Sequence, residues 1–279
     1  MKLLKLARPF FIILLLTIVT QIGGFAYFIF LPIYRVLKKR FAQNDWKRKL
    51  IPFLSFLVFY LLTTFLVVPP IAKKFGREVL PYFSTKALPV QPRNYFYVLA
   101  NRNYVRSELK NTVFEAAKAL SKKYPEAKIL YLDGCFPFWN GIPLIPHLSH
   151  SDGKKLDICF LYKHKTTGQI INKTPTWMGY GSSEMPQSNE YNQPKICKDA
   201  GYFQYSFLNT FTPRLGKSIL VFDEKANRWI VEYFAKHPSI GKIFIEPHLK
   251  TRLELSKYDK IRFHGCRAVR HDDHIHLQL

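Results

Sequence analysis

Acidic residues are scarce in this chain: 19 Asp and Glu stand against 42 Lys and Arg, a formal net charge of +23. An excess of that size first suggests nucleic acid. No zinc-finger, basic-zipper or aromatic RNA-binding signature accompanies it, and about half of it falls in the first hundred residues, beside apolar runs. Basic residues in that setting meet anionic lipid head groups and orient membrane segments, so no nucleic-acid partner is expected. Cysteine is sparse too. Cys135, Cys159, Cys197 and Cys266 form no C-x-x-C pair, which excludes a four-cysteine zinc site and a thioredoxin-like motif. In an oxidising compartment they allow one or two disulfides, with three full connectivities open. Also absent are H-E-x-x-H, G-x-S-x-G and any internal repeat. LGKS ends like a phosphate loop, but Phe211 stands where that loop needs Gly, and GYGSSE has Glu184 in place of the third Gly of a dinucleotide fingerprint.

Long apolar runs, by contrast, are present. Residues 9–34 and 50–72 carry no charge, and each is long enough at about 1.5 Å per residue to cross a hydrocarbon core of roughly 30 Å. Two transmembrane helices are therefore expected in a membrane anchor covering residues 1–72. The connector RVLKKRFAQNDWKRK holds seven Lys or Arg against one Asp. The positive-inside tendency puts it in the cytoplasm and places both termini, with everything after residue 72, outside. Residues 73–104, with several prolines, read as a linker or stalk.

The remainder, 105–279, reads as a soluble α+β domain. Helix is predicted over 107–123, where Leu109, Val113, Ala116, Ala117 and Leu120 recur at helical spacing, and over EKANRWIVEYFAKH. KILYLDG, LDICFLY, KIFIE and DHIHLQL read as strands and PHLKTRLELS as a short helix. Residues 166–214 form a polar, Gly-, Asn- and Pro-containing stretch that reads as the rim of a cleft.

Two segments carry candidate chemistry. In DHIHLQL, strand periodicity puts His274 and His276 on one face and Ile275 and Leu277 on the other, so the aliphatic side can enter the core while the imidazoles line a cleft. In HLSHSDGKKLDICF, His150 and Asp157 are seven residues apart with Gly153 between them to permit a tight turn. Imidazole nitrogen and carboxylate oxygen suit zinc, which in hydrolases takes three protein ligands and keeps one position open. Paired histidines also occur as ordinary polar core residues, and the spacing alone leaves both readings open.

The pattern H-x-x-S-H-x-x-G-x-x-x-D, followed far downstream by H-D-D-H-x-H, resembles the penicillin-insensitive murein endopeptidases. They belong to the zinc peptidases that share the D-Ala-D-Ala peptidase/Hedgehog fold. The resemblance runs from about residue 129 to 279, through LDGCFPFWNGIPLIPHLSHSDGKKLDI, VFDEKANRWIVEYF, KIFIEPHLKTRL and CRAVRHDDHIHLQL. It implies Zn²⁺ held by His150, Asp157 and His276, with His274 as base or transition-state stabiliser. His147 and His271 would line the cleft or hydrogen-bond the ligands. Asp272 and Asp273 read as solvated acids or as partners that orient imidazoles, and His164, His237, His248 and His264 as structural or exposed. The implied activity is cleavage of peptide cross-links in peptidoglycan, outside the cytoplasmic membrane, with stem peptides as substrate and membrane lipids as the other partner. Trimming of stem peptides by a carboxypeptidase, and a non-catalytic, zinc-stabilised wall-binding protein, are the alternatives. The chain departs from the family at Lys154 and Lys155, in cysteines that do not map onto its disulfides, and in its apolar N-terminal region.

Overall fold

A computed structural model describes residues 2–206 and 219–279, the first five of them as backbone only. The N-terminal region contains three helices before the α+β domain begins. α1 (Lys2–Thr20) and α2 (Gly23–Arg40) are separated by Gln21, whose φ of +62° turns the chain back on itself. The reversal needs Gly23 and Gly24. A side-chain carbon at Gly24 would collide with Thr17 Oγ1 and the Ile13 carbonyl, so only glycine lets α2 lie this close to α1. Thr20 Oγ1 accepts the Gly23 N–H at 2.8 Å.

The run 9–34 is thus a hairpin of two shorter helices and not one span. Among the described residues, one helix is long and apolar enough to cross a membrane: Asp45–Lys74, which comprises α3 (Asp45–Leu62), a π-helical segment (Thr63–Val67) and α4 (Val68–Lys74). Asn44 caps it, accepting the Lys47 N–H. The hairpin also sets where the chain's start lies relative to the connector. α1 runs back along α2, so the chain's start lies at the same end of the bundle as the basic connector, and the turn at Gln21 faces the domain. There the Gln21 side chain bonds both the N–H and the carbonyl of Phe138.

Residues 73–104 are not a stalk. β1 (Glu78–Val79) pairs with β3 (Tyr104–Val105), and β2 (Val90–Pro92) is the outermost strand of the main sheet. Leu80, Val90 and Tyr97 (in α5, Phe96–Leu99) are fully buried in the same core as the rest of the domain. The prolines that suggest a linker sit where a strand edge and turns tolerate them.

Further elements are α6 (Ser107–Lys123), β4 (Ile129–Tyr131), β5 (Lys155–Cys159), β6 (Tyr162–His164), β7 (Ile170–Ile171), α7 (Gln193–Asp199), β8 (Leu220–Phe222), α8 (Glu224–Lys236), β9 (Lys242–Phe244), α9 (Pro247–Arg252), β10 (Ile261–Arg262) and β11 (His274–Gln278). Seven of them, α6, β4, β5, α8, β9, α9 and β11, match the predicted ones; β6, β7, α7, β8 and β10 have no predicted counterpart, and β7 and α7 lie within the stretch read as a loop rim. The main sheet is mixed, with order β10-β9-β11-β5-β4-β2, and β6 to β8 form a separate three-stranded sheet. The apolar stripes of α6 (Leu109, Val113, Leu120) and α8 (Ile230, Phe234) share one core with Leu156, Ile158, Ile243, Ile275 and Leu277 of the sheet. Ile275 and Leu277 are fully buried, each a gain of about 2 kcal/mol. Strand alternation then turns Asp157, His274 and His276 to the other face.

Candidate metal centre

β11 lies antiparallel to β5 in a register that sets His276 opposite Asp157 and His274 opposite Cys159. Two distant segments thereby place three polar side chains on one face without any loop having to find the site. His147 and His150 come from the loop between β4 and β5. That loop closes through a turn in which the His150 N–H meets the His147 carbonyl at 3.0 Å. Gly153, at φ +76°, then returns the chain to β5, and its carbonyl accepts the Arg106 N–H.

Asp157 is the hub and is fully buried. Its Oδ1 lies 2.8 Å from His276 Nδ1 and 3.3 Å from His150 Nε2, and those two nitrogens are 3.1 Å apart. Its Oδ2 accepts the Tyr180 hydroxyl at 2.7 Å and lies 3.4 Å from His147 Nδ1 and 3.6 Å from His274 Nε2. Two sets of donors could hold a metal ion: His150, Asp157 and His276, the set predicted from sequence, and His147, Asp157 and His274.

The first set fits a small divalent cation. His150 Nδ1 donates to the Gly134 carbonyl at 2.8 Å, which leaves Nε2 as a bare lone pair aimed at the other two donors. Without a cation, a carboxylate oxygen and two imidazole nitrogens crowd together with few protons to share. The separations of 2.8 to 3.3 Å are close to the edge of about 3.3 Å expected for a tetrahedron with ligand bonds near 2.0–2.1 Å.

The surrounding residues fix the imidazoles. His147 Nδ1 donates to Asp133, whose carboxylate is also paired with Arg102. His274 Nδ1 donates to Asp273, which in addition accepts the Gly181 N–H. The Nε2 atoms of His147, His274 and His276 are buried and have no hydrogen-bond partner. Burial disfavours charge on Asp157, His271, His274 and His276, but the local fields separate them. Asp157 is held well below the carboxylate range by His150, His274 and His276, despite its burial. His276 is pushed down to about 3 by burial and by the neighbouring His150 and His274. His274 is raised to about 9, because Asp157 and Asp273 outweigh its burial. His271 is buried 4.9 Å from His274, ring to ring, and is held well below its ordinary value by burial and the adjacent histidines.

A cleft of about 400 Å³ opens onto the cluster. His147, His150, His264, Arg267, His271 and His276 all line it. Every site residue predicted from sequence is therefore at one place. No family model matches the chain, and no curated protein matches it.

Several participants escape the sequence reading. Tyr180 packs tilted against His147 and edge-on against His274, with ring centroids 4.6 and 4.9 Å away, and its hydroxyl holds Asp157. Its neighbours Gly179 and Gly181 have φ of +92° and +83°, and a side chain at Gly179 would strike Leu132. The glycines of GYGSSE thus serve a close approach to the sheet, and Tyr180 is the residue they deliver. Asp133 and Arg102 carry no motif. His264 is exposed, as one of its two expected readings has it, and lies on the cleft wall stacked on Phe244. Asp272 and Asp273 are buried at 0% and 4% exposure, which corrects the solvated reading; Asp272 pairs with Arg270. Cys197 and Cys266 form a disulfide that ties α7 to the loop bearing Arg267, while Cys135 and Cys159 are free and buried. Within the expected rim of 166–214, residues near Tyr180 pack on the site, and 207–214 lie outside the described residues.

Proposed function

We propose that the chain is a membrane-attached zinc peptidase that hydrolyses peptide cross-links of peptidoglycan, with a domain of the D-Ala-D-Ala peptidase/Hedgehog fold group. One observation carries the reading: His150, Asp157 and His276, separated by up to 126 residues, bring three donor atoms within 3.3 Å of one another beside a cleft. The sequence resemblance adds the substrate class and the choice of zinc.

Zinc at this position supplies Lewis acidity, polarising a carbonyl and making a water acidic near neutral pH. The chain's own residues do the rest. His150 presents Nε2 because Gly134 fixes its tautomer. Tyr180 orients the Asp157 carboxylate, and Asp273 holds His274 Nδ1 so that Nε2 faces the cluster and can hold or release a proton. His271, kept neutral, and exposed Arg267 border the cleft where a stem peptide would lie. The basic connector and the start of α1 share one end of the bundle, so the positive-inside tendency favours that end in the cytoplasm and the domain on the outer side of the cytoplasmic membrane.

The test is digestion of purified sacculi by the full chain in detergent, with and without a chelator, followed by mass spectrometry of the released fragments. Chelator-sensitive conversion of cross-linked dimers to monomers is the expected result. Loss of single terminal residues would make it a carboxypeptidase. Binding of zinc and wall fragments without cleavage would make it a non-catalytic wall protein.

A further inference from the structure

We propose that the α+β domain itself enters the bilayer, through an apolar collar around the second half of the helix Asp45–Lys74, and that lipid hydrocarbon covers this collar. The inference rests on the reading that this helix lies in a membrane and asks how deep the domain sits.

The helix is charged up to Lys49 and again from Lys73. Protein meets it early. The Tyr60 hydroxyl donates to the Leu99 carbonyl at 2.6 Å, and the Phe65 ring packs edge-on against Tyr82 at 5.1 Å. Tyr60 lies ten residues beyond Leu50, about 15 Å along the axis. The hairpin tells the same story. Its uncharged portions, 9–20 in α1 and 23–34 in α2, extend about 18 Å before Gln21 reaches Phe138 of the domain. Bare helix therefore fills little more than half of a hydrocarbon core of roughly 30 Å. The missing depth, about 12 Å, falls where the domain surrounds the helix.

The surface found there is apolar. Phe83, Leu99, Trp139 and Trp177 are 68%, 42%, 59% and 59% exposed. On one side Phe83, Leu99 and Trp177 line a cleft of about 700 Å³. On the other, a cleft of about 410 Å³ between the hairpin turn and α4 is lined by Phe25, Ile71, Phe75 and Trp139. Polar side chains of the first cleft are turned inward. Asn94 bonds the Trp177 carbonyl and the Phe96 N–H, Ser84 bonds Gln91, and Arg93 bonds Thr174 and the Thr176 carbonyl. A surface whose Ser84, Arg93 and Asn94 side chains are bonded within the protein, with the Tyr82 and Tyr95 hydroxyls and the tryptophan rings at its rim, suits the head-group boundary, where Trp and Tyr concentrate. The collar is continuous with the apolar faces of α2 and α3, so one lipid phase covers both.

Tryptophan quenching tests the depth. The chain has four Trp, at positions 46, 139, 177 and 229. Three full-length variants that retain only Trp139, Trp177 or Trp229, with Phe at the other three positions, are reconstituted in phosphatidylcholine–phosphatidylglycerol vesicles carrying brominated acyl chains. A fourth variant has all four replaced and Leu54→Trp in α3. Trp139 and Trp177 should lose at least half their emission, most strongly with bromine near the head-group end of the chain. Trp229, which packs against Tyr124 and Lys123 and lines neither cleft, should lose none. Quenching at position 54 with Trp139 and Trp177 as bright as Trp229 would overturn the collar and leave the helix in the membrane. No quenching at position 54 either would overturn the membrane reading along with it.

Discussion

Replacing Asp157 by Asn removes one charge and almost no volume at the point where four imidazoles and a phenol converge. Two contacts below 3 Å, to His276 Nδ1 and the Tyr180 hydroxyl, change from charged to neutral hydrogen bonds, a loss of about 1 kcal/mol each. The larger effect is on His274, whose raised affinity for a proton depends first on Asp157 once burial is set against it. Breaking a buried ion pair from one side costs about 3–5 kcal/mol. The metal-free variant should therefore unfold about 10 °C below the metal-free parent, taking about 2–4 °C per kcal/mol for a chain of this size. The second effect is on the ion. An amide in place of the one anionic ligand should weaken zinc binding at least about 100-fold, or about 2.7 kcal/mol. Competition with a chromophoric chelator measures the affinity, and melting with and without zinc measures the linkage. The parent should gain stability from zinc while Asp157→Asn gains little. Zinc affinity equal to the parent's, with the same upward shift in melting temperature on adding metal, would refute the assignment of Asp157 as hub and ligand.

His274→Ala should retain zinc and lose turnover by about 100-fold or more, measured as fragment release at matched zinc content; a wild-type rate would remove His274 from the chemistry. Tyr180→Phe leaves the Asp157 carboxylate one donor short in a buried site, so it should lower stability by about 1–3 kcal/mol in denaturant unfolding. In the chelated protein, neutral His276, held near 3 against an ordinary 6.5, stabilises fully above pH 6.5 and that contribution is lost as pH falls toward 3. Protonated His274, at about 9, stabilises fully below pH 6.5, and its contribution is lost as pH rises through 9. These groups make stability peak near pH 6.5 and fall on both sides, by up to about 1.4 kcal/mol per pH unit for each group that titrates, with His271 adding to the acid side and His150 to the alkaline side, a profile that pH-dependent thermal melts will test. Replacing both Cys197 and Cys266 by Ser should cost up to about 4 kcal/mol, by the loop entropy of a 69-residue separation, without displacing the ligand-bearing strands.

The longer elements of the domain were legible because period and length agreed in them, while the two- and three-residue strands β6, β7, β8 and β10 are too short to show a period. The stripe from Leu109 to Leu120 and the alternation of DHIHLQL each admit one buried face, and those faces meet in one core. Legibility failed where a single backbone feature outweighed composition. Residues 9–34 have the hydropathy of a span, yet Gln21 in the left-handed region and the Gly23–Gly24 pair make a hairpin of it. Proline in 73–104 suggested a stalk, because a run of prolines looks the same whether it hangs in water or edges a sheet. What decides is pairing, and β2 finds its partner in β4, some 39 residues onward, at a distance no local pattern encodes.

The site divides in the same way. Its candidate donors could be read because their chemistry marks them and strand period marks Asp157 and His276 as well, whereas Asp133, Arg102 and Tyr180 act through partners that only the fold supplies. The assignment of roles within H-x-H is the sharper case. His274 and His276 are chemically identical, sit two residues apart on one strand and face the same carboxylate. Asp273 accepts from His274 and not from His276, while His276 lies in the field of His150 and His274. One imidazole is thereby biased toward holding a proton and the other toward a bare lone pair. On the proposed reading this separation suits His276 to the ion and His274 to the proton, whereas His150, raised by Asp157 and Asp133 against its burial, must give up its proton before it can bind a metal.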